Sequence, residues 1–259
     1  MNKDVLTQIK RCIKSGLDDL AFSILRSEHT YLSVRDLSTI LKYMSKIRKY
    51  PRNVVQYICY ESAYRSRLDP LYDVGMLLVR AICKGYTDTA MLLLADIRID
   101  DCARTNAIIY AAEGGYLRIV EAVLKEIPRF EDTARGIAMK TAIQEAAKKG
   151  HLSVVQLLHA DKHCKKEYVS MAIVFACMYS RIHVIMFLLY ESAMYEIDSQ
   201  DFYTFISSAI RAAKTKVVKL LLNDNRVDSV LPELSKIVET YNYTDIVDLF
   251  EARMRKIMR

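Results

Sequence analysis

The chain has 259 residues, 52% of them hydrophobic and 27% charged, a balance that excludes a disordered chain and is enough to bury a core. Seven glycines and four prolines are too few for a sandwich or barrel and leave no Gly-rich phosphate loop or long flexible linker. The net charge of +7 is uneven: residues 1–94 carry 15 basic against 9 acidic side chains, whereas residues 181–259 carry 11 of each. That excess suits an acidic protein, RNA or an anionic surface, or else solvated helix faces.

From the start, MNKDVLTQIKRCIKSGLDD holds no apolar run of signal-peptide length, so none is expected. A helical pattern then recurs along the chain. Cys12–Leu25 (CIKSGLDDLAFSIL) is followed by Ala81–Ala95 (AICKGYTDTAMLLLA), Ala111–Leu124 (AAEGGYLRIVEAVL) and Ala146–His159 (AAKKGHLSVVQLLH). Weaker copies lie at Ala176–Leu189, Ala209–Leu222 and Val238–Phe250. One slot in this pattern falls at Gly16, Tyr50, Gly85, Gly115, Gly150, Ser180, Ala213 and Asn242, with spacings of 34, 35, 30, 35, 30, 33 and 29. A period of this length marks a repeat array.

Within each unit, positions −7, −4 and −3 from the slot form one apolar stripe, as in Ile143, Ala146 and Ala147. Positions +4, +5, +7 and +8 form a second, as in Val154, Val155, Leu157, Leu158 or Val217, Val218, Leu220, Leu221. Both stripes have helical spacing. The slot, often glycine, suits a tight turn with positive φ between the helices. One such pair cannot bury its own apolar face, so stacking is required. The expected fold is therefore all-α, a solenoid of about eight helix–turn–helix repeats filling residues 1–259 as one array. Met171–Tyr190 is apolar enough to suggest a membrane span, but Arg181 and His183 near its middle and the repeat register argue against one.

Thr141–Leu158 (TAIQEAAKKGHLSVVQLL) and Asn106–Leu124 (NAIIYAAEGGYLRIVEAVL) resemble the ankyrin repeat, whose pattern is T-P-L-H-x-A-A-x-x-G-H-x-x-V-V-x-L-L-L. The likeness is best over about 76–222, with divergent, capping repeats at both ends. The Pro and His of T-P-L-H are missing throughout; in the family the Thr–His pair ties down the helix start. Arg98–Asp100 and Arg226–Asp228 follow LLAD and LLND and look like the short β-hairpin fingers of that family. The loose spacing is similar to that in ankyrin proteins of large DNA viruses or of intracellular bacterial effectors.

The resemblance implies a non-catalytic protein-binding module, an intracellular monomer whose partner is a cellular or host protein, with no cofactor, no metal and no membrane. It places positions −5, −2 and −1 on a concave helical face. Those residues are Arg80, Lys84, Tyr110, Glu113, Glu145, Lys148, Lys149, Phe175, Met178, Tyr179 and Arg211, with Arg11, Lys14, Ile237 and Tyr241 at the ends. Apolar Phe175, Met178 and Tyr179 stand out; they mark either an interface or a more deeply packed repeat.

Other residues have a plainer reading beside a functional one. His159, His163 and Cys164 have partial zinc spacing but fall where a finger loop is expected, so surface is the expectation. Cys177 with His183 could form a thiol–imidazole pair, yet Cys177 holds a packing position. The six cysteines lack CxxC spacing and are read as reduced, mostly small apolar fillers. The basic tail Arg253–Arg259 and the run Arg211, Lys214, Lys216 and Lys219 are expected to be solvated. Leu231–Leu234 could open an F-box-like tail, but the register gives it to the eighth repeat. The alternative function is nucleic-acid binding by Lys42, Lys46, Arg48, Lys49 and Arg52 around Tyr43, Tyr50 and Tyr57.

Overall fold

A computed structural model describes residues 3–28, 33–44, 51–58, 75–95, 99–125, 132–191 and 197–257. Among them there is no strand, and the helices come in pairs around the expected slots. The pairs are α1 (Lys3–Ser15) and α2 (Asp18–Ser27), α3 (Val34–Met44) and α4 (Arg52–Gln56), α5 (Met76–Cys83) and α6 (Thr87–Leu94), and α7 (Asp101–Gly114) and α8 (Leu117–Leu124). Then follow α9 (Asp132–Lys149) and α10 (Leu152–His159), α11 (Lys166–Met178) and α12 (Ile182–Met186), α13 (Ser199–Arg211) and α14 (Thr215–Leu221), and α15 (Leu231–Tyr241) and α16 (Thr244–Ile257).

The turns repeat almost atom for atom. Gly16, Gly85, Gly115, Gly150, Ser180, Ala213 and Asn242 have φ of 75°, 75°, 75°, 87°, 57°, 53° and 46°, and no other described residue has positive φ. Tyr50, the remaining slot, lies outside the described residues. In repeat five Gly150 N–H donates to the Ala147 carbonyl at 3.1 Å and His151 N–H to Ala146 at 2.9 Å. The same two bonds recur at Ser180/Arg181 and Ala213/Lys214. These bonds satisfy carbonyls that the end of the first helix leaves open. The next residue, near φ −80° and ψ 70°, bends the chain into the second helix, as at Tyr116, His151 and Arg181.

The chain divides into two compact units, Met1–Ala138 and Met139–Arg259, with the division inside α9. In the first unit α1 packs on α3 and α5 on α7, while α2, α4, α6 and α8 pack in succession. In the second unit α11, α13 and α15 form one layer, and α10 packs on α12 and α14 on α16. First helices thus meet first helices, and second helices meet second helices. The −4 and −3 residues that permit this close approach are buried, among them Ala111, Ala112, Ala146, Ala147, Ala176, Cys177, Ala209 and Ile210. At −7, Ile9, Leu78, Ile108, Ile143, Ile173 and Ile206 are fully buried, whereas Tyr43 and Ser235 in the divergent repeats are only half-buried.

Several expectations are corrected. Position +8 is buried, as at Leu158 and Leu221, but +7 is half-buried, as at Leu157 and Leu220, because the second helix exposes one flank. The segment at Arg226–Asp228 is no hairpin finger: it belongs to a 3-10 helix, Asn225–Val230, started by the Asp224 carboxylate on the Arg226 N–H at 2.9 Å. Arg98 of the other expected finger lies outside the described residues. Asn106 and Thr141, which stand where the ankyrin pattern has its helix-starting Thr, fall inside α7 and α9. Asp100 starts α7 instead, accepting from Ala103 N–H at 2.7 Å, and Asp198 starts α13 through a capping box with Asp201.

Candidate functional site

The expected face residues sit on the carboxy-terminal halves of first helices, beside the turns. In the first unit Lys84 and Tyr110 are exposed, while Arg80 and Glu113 are half-buried. Partial desolvation, and after it the Glu113 carboxylate, pushes the neighbouring Cys83 thiol up.

In the second unit three successive repeats contribute. Lys149, Met178, Tyr179 and Arg211 are exposed; Glu145, Lys148 and Phe175 are half-buried. Lys148 Nζ lies 3.0 Å from a Glu145 carboxylate oxygen, one helical turn back, and 5.8 Å from the centre of the Tyr179 ring. That places a cation against an aromatic face across two repeats. Arg181 Nε donates to the Lys148 carbonyl at 2.8 Å, so the turn of repeat six caps the end of α9. The structure therefore brings Glu145, Lys148 and Tyr179 together, and Met178 stands exposed beside them on α11.

Other candidates fall elsewhere. His159 is 3% exposed, not on the surface: its ring meets Phe187 edge-on at 5.5 Å, and burial pulls its pKa down. His163 instead pairs with Asp161 at 2.8 Å. Cys177 is fully buried and burial pushes its thiol up, while His183 is exposed on α12. Cys12 and Cys164 are buried like Cys177, so three of the five described cysteines fill the interior, while Cys83 and Cys102 are exposed; Cys59 lies outside the described residues. Arg253 is no solvated tail residue: it is buried against Asp228 at 2.6 Å, with Asn225 at 3.3 Å. Leu231–Leu234 opens α15, with Pro232 in its first turn, where a missing N–H costs nothing.

Of the N-terminal basic group, Lys46, Arg48, Lys49 and Tyr50 lie outside the described residues. Tyr57 is buried and meets Phe22 edge-on, and Tyr43 is half-buried with Lys10 over its ring.

One cluster was not legible in the spacing. Arg226 grips Asp224 with two bonds, at 3.0 and 2.8 Å, and lies 4.3 Å over the centre of the buried Phe202 ring. Its guanidinium and its bonds hold the Asp224 carboxyl low. The Tyr190 hydroxyl also bonds that carboxylate; desolvation first and Asp224 second push Tyr190 up to about 12. The only sequence signal was the LLND/RVD run, which pointed to a finger.

Among the described residues no helix is long and apolar enough to cross a membrane, and Met171–Tyr190 is broken at the Ser180 turn. A family model for ankyrin repeats (3 copies) matches residues 78–169 and 143–230. No curated protein and no solved structure matches the chain.

Proposed function

Because this chain belongs to the ankyrin-repeat family, matched from residue 78 to residue 230, we propose that it binds a protein partner through the turn-side face of repeats five to seven. Ankyrin repeats are generally protein-interaction modules and typically non-catalytic. The observation that carries the location is the exposure of Met178 and Tyr179 together, with Lys148 against the ring. Aromatic and Met side chains left on a surface are the groups that interfaces bury with most gain. The layers beneath are fixed by packing, so this face is presented by a rigid scaffold. The whole chain acts as one array, intracellular and without cofactor. If it belongs with the viral or effector arrays it resembles, the partner is a host protein.

The test is a partner isolated with the full chain and then measured against Met178→Ser, Tyr179→Ala. This exposed pair is a cleaner probe than half-buried Phe175. Binding should weaken by more than about 2 kcal/mol with helicity unchanged. Unaltered binding rejects this face.

A further inference from the structure

Resting on the protein-binding reading of this face, we infer that the partner segment is acidic and carries an apolar anchor. The charge around the turns of repeats five to seven is one-sided. From five residues before each slot to three after it, the chain carries Lys148, Lys149, Arg181, Arg211, Lys214 and Lys216, and Glu145 is the one carboxylate. Glu145 is already matched by Lys148 at 3.0 Å. Among the described residues, Arg211, Lys214 and Lys216 form no ion pair.

Fold stability does not account for this placement. Lys148, Lys149 and Arg211 end first helices, where the dipole welcomes cations. Arg181, Lys214 and Lys216 stand at the start of second helices, where the dipole favours acids. Three other second helices obey the preference: α2 has Asp18 and Asp19 in its first turn, α6 has Asp88 and α16 has Asp245, whereas α8 carries Arg118 there, 3.9 Å from Asp88. Arg181 has a structural use, the Lys148 carbonyl. Among the described residues the side chains of Lys214 and Lys216 have no such partner, so their charge is carried against the helix.

Met178 and Tyr179 lie between these cations in the sequence of turns, 38% and 45% exposed. A segment that matches the surface sets carboxylates over Lys149, Arg211, Lys214 and Lys216 and lays an apolar side chain on Met178. A bare phosphate backbone would satisfy the cations but leave the thioether uncovered, which favours an acidic peptide over nucleic acid.

The experiment uses the full chain against a displayed random-peptide library, followed by anisotropy titration of the enriched peptides. A poly-glutamate peptide and single- and double-stranded oligonucleotides serve as comparators, at about 50 and 200 mM salt. Enrichment of peptides combining Asp or Glu with an aromatic or aliphatic residue is expected, binding at least about tenfold tighter than poly-glutamate. Lys149→Glu, Arg211→Glu should weaken them by about tenfold or more, with Lys216→Glu, at an exposed position, as a second variant if folding suffers. Circular dichroism should be unchanged. Neutral or basic peptides that are lost in Tyr179→Ala would overturn the acidic partner while leaving protein binding at this face intact. Peptides unaffected by Tyr179→Ala, or oligonucleotides binding tighter than any peptide, would overturn both.

Discussion

The repeats marked by glycine and those without it build the same turn at different cost. Gly85, Gly115 and Gly150 sit at φ of 75° to 87°, while Ser180, Ala213 and Asn242 reach the left-handed region at 46° to 57°, close to the well open to L-residues. The bonds closing the turn are the same at Gly150, Ser180 and Ala213. Turn geometry is thus imposed by the helix end and the stacking, and glycine relieves a strain of about 1–2 kcal/mol that the later repeats carry. Those repeats add polar clamps: Arg226 with Asp224 and Tyr190, and Arg253 with Asp228.

The largest expected effect is at Gly150. A Cβ there would lie 2.9 Å from Arg181 Cδ, on a backbone that L-residues rarely adopt. Gly150→Ala should cost about 2–3 kcal/mol, from left-handed strain and a disturbed Arg181 bond, measured by urea unfolding. A cost near zero would mean that the glycine slots are interchangeable with the others. Next is Arg253→Met, which opens the last clamp. Because Asp228 is half-exposed, the loss should be about 1 kcal/mol, again by urea midpoint. Ala213→Gly should run the other way, stabilising by about 0.5–1 kcal/mol once the entropy of glycine is set against the relieved strain.

Two smaller effects depend on pH. Asp224 is held below its ordinary 3.8, so its contribution is complete above that pH and is lost as pH falls through the lower folded value. Asp224→Asn should remove that acid sensitivity. His159 is pulled below 6.5, so the unfolded chain takes the proton first and stability declines as pH drops below 6.5. His159→Phe should flatten thermal stability across that window; an unchanged slope would place the titration elsewhere.

The slot ruler made the fold legible: every described slot has the positive φ it called for, even where Ser, Ala or Asn occupies it. The apolar stripes at −7, −4 and −3 were equally legible, since small residues at fixed helical spacing have one packing use. What spacing could not show is contact between units of different sequence distance. Arg253 meets Asp228 across 25 positions, and Arg181 meets the Lys148 carbonyl across 33. Tyr190 joins Asp224 through a segment whose LLND/RVD pattern suggested a hairpin and folded as a 3-10 helix. His159 misled for a related reason: zinc-like spacing and a loop-like neighbourhood say nothing of the Phe187 ring that covers it.

The central claim, that partner binding belongs to the turn side of the first helices, is tested most directly within one helix. Met171 in the middle of α11 and Tyr179 at its carboxy-terminal cap have nearly equal exposure, 41% and 45%, so a photo-crosslinking residue at either position is equally available to solvent. In native extract a discrete protein adduct is expected from position 179, abolished by Lys149→Glu with Arg211→Glu, and none from position 171. Adducts from 171 alone, or nucleic acid captured at 179, would contradict it.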